Sequence, residues 1–199
     1  MVPRFKHLSL AAWAGIVLGA GLVLRIGLLL AYQPVSYSDT ASYRRLAASI
    51  LEGWARYDGT RTPGYPVFLA AVGPDERVWL VQMGLGLVTS MLLFGMGWLI
   101  SGKAWFAGLA GLAHTLNLGQ LFFEANLITE TLATFAVTAS LAGTFLWLAR
   151  PARRGILLAV LVSLSASLAW LVRPLYIYLP FWLLPFLVVE RRRAGVSPS

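Results

Sequence analysis

The long apolar runs of this sequence decide most of what it can become. Residues 8–32 hold a single charge, Arg25, and further apolar runs occupy 78–100, 104–117, 126–149, 155–172 and 175–189. In hydrocarbon only helices and closed barrels satisfy every backbone polar group, and about 20 apolar residues span a bilayer as a helix. The expected fold class is therefore all-α, a polytopic membrane bundle of about six transmembrane helices. The run 104–117 is short, and 175–189 carries Pro180 and Pro185, which persist in lipid only where neighbours satisfy the freed carbonyls. Charged residues make up 12% of the chain, against roughly 25% in soluble domains. With 199 residues there is room for a single membrane domain and no separate soluble one.

Arg4 and Lys6 before the first run look like the start of a secretory signal. The run is too long for a signal's apolar region and shows no clear small-residue cleavage site, so residues 8–32 read as a retained span. Orientation follows from the basic residues at the span ends. Arg4, Lys6, Lys103, Arg150, Arg153, Arg154 and Arg191, Arg192 and Arg193 fall on one side, nine of the sixteen. Arg44, Arg45, Arg56, Arg61, Arg77 and Arg173 fall on the other, mixed with nearly all the acids. The positive-inside rule makes the first side cytoplasmic, with both termini on it. It also accounts for the net charge of +8 without a nucleic-acid partner. The absence of cysteine excludes disulfides and thiolate metal sites or nucleophiles.

One long polar interval interrupts the hydrocarbon, the external loop 33–77. Two amphipathic helices are expected in it, 39–54 and 63–72. In the first, Ala47, Ile50, Leu51 and Trp54 share a face opposite Arg44, Arg45 and Ser49, and Gly53 weakens its end. In the second, Thr62 is the expected N-cap and Pro63 the first helical residue, with Gly73-Pro74 as the stop. Both patterns suit helices lying along the membrane interface.

Several groups here can carry chemistry. Asp39 lies just beyond the first span, where a carboxylate can take a proton from an attacking hydroxyl or amine. The spacing Ser36-x-x-Asp39 equally suits a capping box, and an Asp in a first turn favours the helix dipole. Glu124 and Glu130 flank the start of the fourth run, with a turn expected at 118–125; six residues apart, they point to different faces if both are helical, Glu124 then facing the polar loop and Glu130 facing inward. An ionisable group inside the apolar zone faces a cavity or a partner, and Arg25 or Arg173 can pair with Glu130. Arg25, Arg61 and Arg173, brought to the outer membrane edge, can grip a lipid-linked phosphate through forked hydrogen bonds, or simply bind anionic headgroups. His114 has no ligand spacing around it and reads as structural. No phosphate loop or metalloprotease motif is present. A divalent metal is compatible with the oxygen donors Asp39 and Glu124, although their spacing does not require one.

Taken in order, some of these residues form a familiar series. Arg25 late in the first span precedes Ser38-Asp39, then Tyr43-x-x-Leu46-Ala47, Gly53 and Arg61-Thr-Pro-Gly-Tyr-Pro-Val-Phe-Leu-Ala70. Gln82 opens the second span, Leu127-Ile-Thr-Glu130-Thr-Leu the fourth, and Val172-Arg173-Pro174 follows the fifth. The series resembles the GT-C glycosyltransferases, in particular the dolichyl-phosphate-mannose protein mannosyltransferase-like and aminoarabinose-transferase-like branch. The resemblance implies a polyprenyl-phosphate sugar as donor, Asp39 as catalytic base and two juxtamembrane helices framing the site. It implies Glu124 as the second acidic residue, and Arg61, Tyr65, Arg173, Arg25 and Glu130 as donor-binding residues. Family members usually carry more spans and a periplasmic portion. The expectation is thus of a front module whose other half is a C-terminal continuation or a partner membrane subunit. A non-catalytic module that binds lipid-linked sugar or supports a partner enzyme is the alternative, and a small transporter is disfavoured by the absence of matched broken helices.

Overall fold

A computed structural model of the chain describes residues 8–35, 38–149, 155–181 and 185. Among these the regular structure is helical throughout, with no strand. The elements are α1 (Leu10–Ala31), α2 (Ser38–Glu52), α3 (Gly64–Val72), α4 (Asp75–Ser101), α5 (Ala104–Thr115), α6 (Leu118–Ala125), α7 (Glu130–Ala149) and α8 (Gly155–Val172). Short 3-10 turns lie at Trp54–Arg56 and Pro174–Tyr178. Among the described residues three helices are long and apolar enough to cross a membrane: α1, α4 and α7. α8 has 18 residues and α5 has 12. The expected span 175–189 falls mostly outside the described residues, as do Arg4, Lys6, Ser36, Arg150, Arg153, Arg154 and Arg191–Arg193.

Local chemistry fixes the helix ends. The Ser9 hydroxyl accepts from the Ala12 amide at 3.1 Å and starts α1. Asp75 and Glu76 sit in the first turn of α4, where the helix dipole favours them, and Gly102 at φ 62° ends it in a left-handed turn. α4 is the hub of the bundle. It packs on α1, α5, α6 and α7, while α7 packs on α8, and α3 bridges α2, α4 and α8. The loop helices therefore cover one end of the bundle, where α1 and α8 finish and α4 and α7 begin. A core of Tyr65, Leu69, Val78, Leu132, Ala133 and Val172 joins the loop to that end.

The structure corrects the sequence reading in three places. Residues 118–125 form a helix rather than a turn, because Asn117 caps it by accepting from the Gln120 amide at 3.1 Å. Leu121 and Ala125, one turn apart, then bury its face. Second, α2 ends at Glu52, where Gly53 takes φ 132°, and its buried face centres on Leu46 and Ala47. Leu51 and Trp54 are 73% and 60% exposed, while Tyr43 packs edge-on against Tyr65 of α3, with ring centroids 5.0 Å apart. Third, Thr62 does not cap α3. Pro63 stands at that position, and the Thr62 hydroxyl donates instead to the Val172 carbonyl at 3.0 Å.

That bond reflects a close approach between α3 and the end of α8. A Cβ on Gly64 would lie 2.6 Å from the carbonyl carbon and oxygen of Leu171, so only glycine fits. Backbone cannot yield as a side chain does, and overpacking typically costs about 1–3 kcal/mol. Gly64→Ala is expected to lower the unfolding temperature of the protein in detergent. Unchanged stability would show that α3 and α8 are not locked together.

Candidate functional site

A cavity of about 360 Å³ opens between the loop and the bundle end, lined by Asp39, Tyr43, Arg61, Thr129, Glu130 and Arg173 among others. Each element delivers its side chain for a local reason. Asp39 is in the first turn of α2, and Tyr43 follows one turn later on the same side. Arg61 lies in the strap before α3, which is held at several points. Asp58 accepts from the Thr60 amide at 2.9 Å and from its hydroxyl at 2.7 Å, and the Tyr57 hydroxyl donates to the Arg61 carbonyl. The two bonds from Thr60 hold the Asp58 carboxyl below its usual pKa. Thr129 and Glu130 open α7, and Arg173 directly follows α8.

Two ion pairs face each other across this cavity. Arg61 Nη2 donates to Asp39 Oδ1 at 2.5 Å, while its guanidinium carbon lies 4.8 Å from the centre of the Tyr43 ring. Burial works against the Arg61 charge, yet its contacts with Tyr43 and Asp39 outweigh this and raise its pKa. Arg173 donates to Glu130 and, through Nε, to the Thr129 hydroxyl at 3.0 Å. The side chain of Asp39 is 56% exposed and that of Glu130 is 24% exposed, so the first pair is the looser.

Of the residues singled out from the sequence, Asp39, Arg61, Glu130 and Arg173 meet in this cavity. Tyr65 does not line the cavity and lies behind Tyr43. It is fully buried, its hydroxyl donates to Gln82 Oε1 at 2.9 Å, and burial pushes its pKa well up. Arg25 and Glu124 lie elsewhere. They form an ion pair at 2.6 Å inside the bundle, 3% and 0% exposed, with Arg25 also donating to the carbonyls of Met83 and Gly21, both at 3.2 Å. Glu124 was expected to face the loop, and its ion pair with Arg25 of α1 places it inside the bundle instead. Gly86 makes the room, since a Cβ there would lie 1.9 Å from the Glu124 carboxylate. Asp39 and Glu124 therefore do not converge as metal ligands. Among the described residues no three His, Cys, Asp or Glu side chains gather as a metal would need. His114 bonds through Nδ1 to the Ser90 hydroxyl at 2.9 Å.

Two functional positions went unassigned in the sequence. Thr129 braces Arg173, and only its place beside Glu130 could have suggested it. Asn126 is fully buried and ties the bundle end together. Its side chain accepts from the Val35 amide at 2.9 Å and the Tyr32 hydroxyl at 3.2 Å, and donates to the Phe122 carbonyl at 2.7 Å. An asparagine amid apolar residues was its signal.

No known protein-family model matches this chain, and no curated protein and no solved structure matches it. The family resemblance rests on the residues quoted above, and the site stands on its own geometry.

Removing one partner of a buried ion pair costs about 3–5 kcal/mol, whereas replacing both with apolar residues is often neutral. Glu124→Ala is therefore expected to destabilise the protein strongly in detergent unfolding. The double variant Arg25→Met/Glu124→Leu should recover most of the loss. A single variant as stable as wild type would refute the pair's structural role.

Proposed function

We propose that this chain is a membrane glycosyltransferase, or the conserved module of one, acting at the outer face of a bacterial-type cytoplasmic membrane. The donor is a polyprenyl-phosphate sugar. The observation that carries the reading is one cavity lined by an exposed carboxylate, Asp39, and by two arginines, Arg61 and Arg173. Glycosyl transfer from a lipid phosphate needs both kinds of group. An acceptor hydroxyl attacks the anomeric carbon as Asp39 takes its proton, and the bond from that carbon to the phosphate oxygen breaks. The electron pair leaves with the lipid phosphate, whose charge the guanidinium groups hold by forked hydrogen bonds. Direct displacement inverts the anomeric centre. Arg25 takes no part, being committed to Glu124 inside the bundle.

The same reading includes six spans with both termini cytoplasmic and the α2–α3 loop outside. α5 with α6, α8, and residues 175–189 complete the set begun by α1, α4 and α7. Leu51 and Trp54, exposed on α2, suit contact with the membrane interface. A non-catalytic module that binds lipid-linked sugar or serves a partner membrane subunit has its own support: both cavity carboxylates are already neutralised by arginine.

Purified protein in lipid is expected to turn over a polyprenyl-phosphate sugar, and Asp39→Asn to lose about 10²- to 10⁴-fold in rate. Full activity in that variant would sink the base assignment. Binding of the donor without turnover, in stable complex with a second membrane protein, would favour the non-catalytic module. Because the chain has no cysteine, Ser49→Cys gives a single label site on the loop. An impermeant maleimide should modify it in intact cells, and labelling only after lysis would reverse the orientation.

A further inference from the structure

The two arginines that suit a phosphate are each occupied by a carboxylate, Asp39 on Arg61 and Glu130 on Arg173. Two cations facing two anions leave the cavity with little net attraction for an incoming anion. A phosphate can use these guanidinium groups fully only by taking a carboxylate's place. The two pairs are not equally easy to open. Glu130 is the less exposed, its Oε2 lies 3.4 Å from the Thr129 hydroxyl, and Arg173 is braced by the same hydroxyl. Asp39 is more than half exposed, in the first turn of a surface helix, and among the described residues its side chain is held by Arg61. Exposed ion pairs are worth at most about 1 kcal/mol, and water readily takes over a released carboxylate. Arg61 does not depend on Asp39 for its position, since the Tyr43 ring supports the guanidinium and Tyr57 and Thr62 hold the strap.

We infer that the cavity takes its phosphoryl ligand by exchange: the phosphate displaces Asp39 from Arg61, and Asp39 becomes free to accept a proton only once the phosphate is seated. This rests on reading the cavity as a phosphoryl site, and it adds an order of events. An acceptor that arrives first meets a carboxylate already engaged by a cation. An acceptor that arrives after the donor meets a free one. The same ion pair that holds the empty loop together thus restrains the base until a leaving group is present. Because coupling is reciprocal, whatever loosens Asp39 from Arg61 must tighten phosphate binding by the same factor.

The test is calorimetric titration of the full chain in detergent with decyl phosphate, and in parallel with inorganic phosphate. Asp39→Asn removes the competitor while keeping the shape, and its affinity for decyl phosphate is expected to rise about two- to fivefold. Glu130→Gln is the companion variant and should move in the same direction. Glu76→Gln removes an equal charge from the first turn of α4, at the same end of the bundle but outside the cavity, and should leave affinity unchanged. Arg61→Gln should weaken binding. Equal or weaker binding by both carboxylate variants, with binding otherwise intact, overturns the exchange and leaves the phosphoryl site standing. An equal gain in Glu76→Gln also overturns it, because bulk charge then explains the effect. Binding that ignores Arg61→Gln, or is absent throughout, overturns the phosphoryl site itself. Preference for decyl over inorganic phosphate identifies the source as a lipid phosphate, and the reverse order overturns a lipid donor.

Discussion

The side chain of Gln82 holds the loop to the bundle. It is fully buried in the first turns of α4, and each of its polar atoms is used. Its oxygen accepts from the Tyr65 hydroxyl at 2.9 Å, and its nitrogen donates to the carbonyls of Glu124 and Asn126 at 3.1 and 2.7 Å. Those carbonyls belong to the penultimate residue of α6 and to Asn126, which caps its end, where helical bonding has stopped and backbone groups need outside partners. One carboxamide thus satisfies a broken helix on one side and anchors α3 on the other. Without water to substitute, an apolar residue at this position would leave three groups unsatisfied.

The cavity depends on that anchor. Tyr65 fixes Tyr43 by edge contact, Tyr43 supports Arg61, and Arg61 reaches Asp39. From the other side, Asn126 sets the start of α7, which carries Thr129 and Glu130 to Arg173. The buried pair of Arg25 and Glu124 stands apart from this chain of contacts. Its role is to let α6 cross the interior beside α1 and α4, with Gly86 giving up its side chain to admit the carboxylate.

What the sequence made legible follows physical scale. Apolar runs long enough to cross a bilayer announce α1, α4 and α7, because desolvating a helix leaves a signal many residues long. The convergence of Asp39, Arg61, Glu130 and Arg173 was also within reach, since Glu130 and Arg173 stand at the ends of apolar runs and Asp39 and Arg61 in the one long polar loop. Glu124 was misplaced because helical spacing says that it and Glu130 point different ways without saying which way, and its partner Arg25 lies 99 residues away in the chain. The end of α2 was set two residues late, although Gly53 had marked the place. Thr62 looked like a cap by residue type and spacing, and the nearby end of α8 claimed its hydroxyl instead.

The contact of Gly64 with Leu171 also sets the spacing of the charges. α3 rests directly on the last turn of α8, and Thr62 grips the Val172 carbonyl. Arg61 is the residue before Thr62, and Arg173 is the residue after Val172. The two cations are therefore mounted on a single rigid seam, a few bonds from each other's support. In mechanical terms the arginines form a fixed jaw on the seam of α3 and α8, and α7, packed along α8, holds Glu130 against it while Asp39 meets it from the more exposed side.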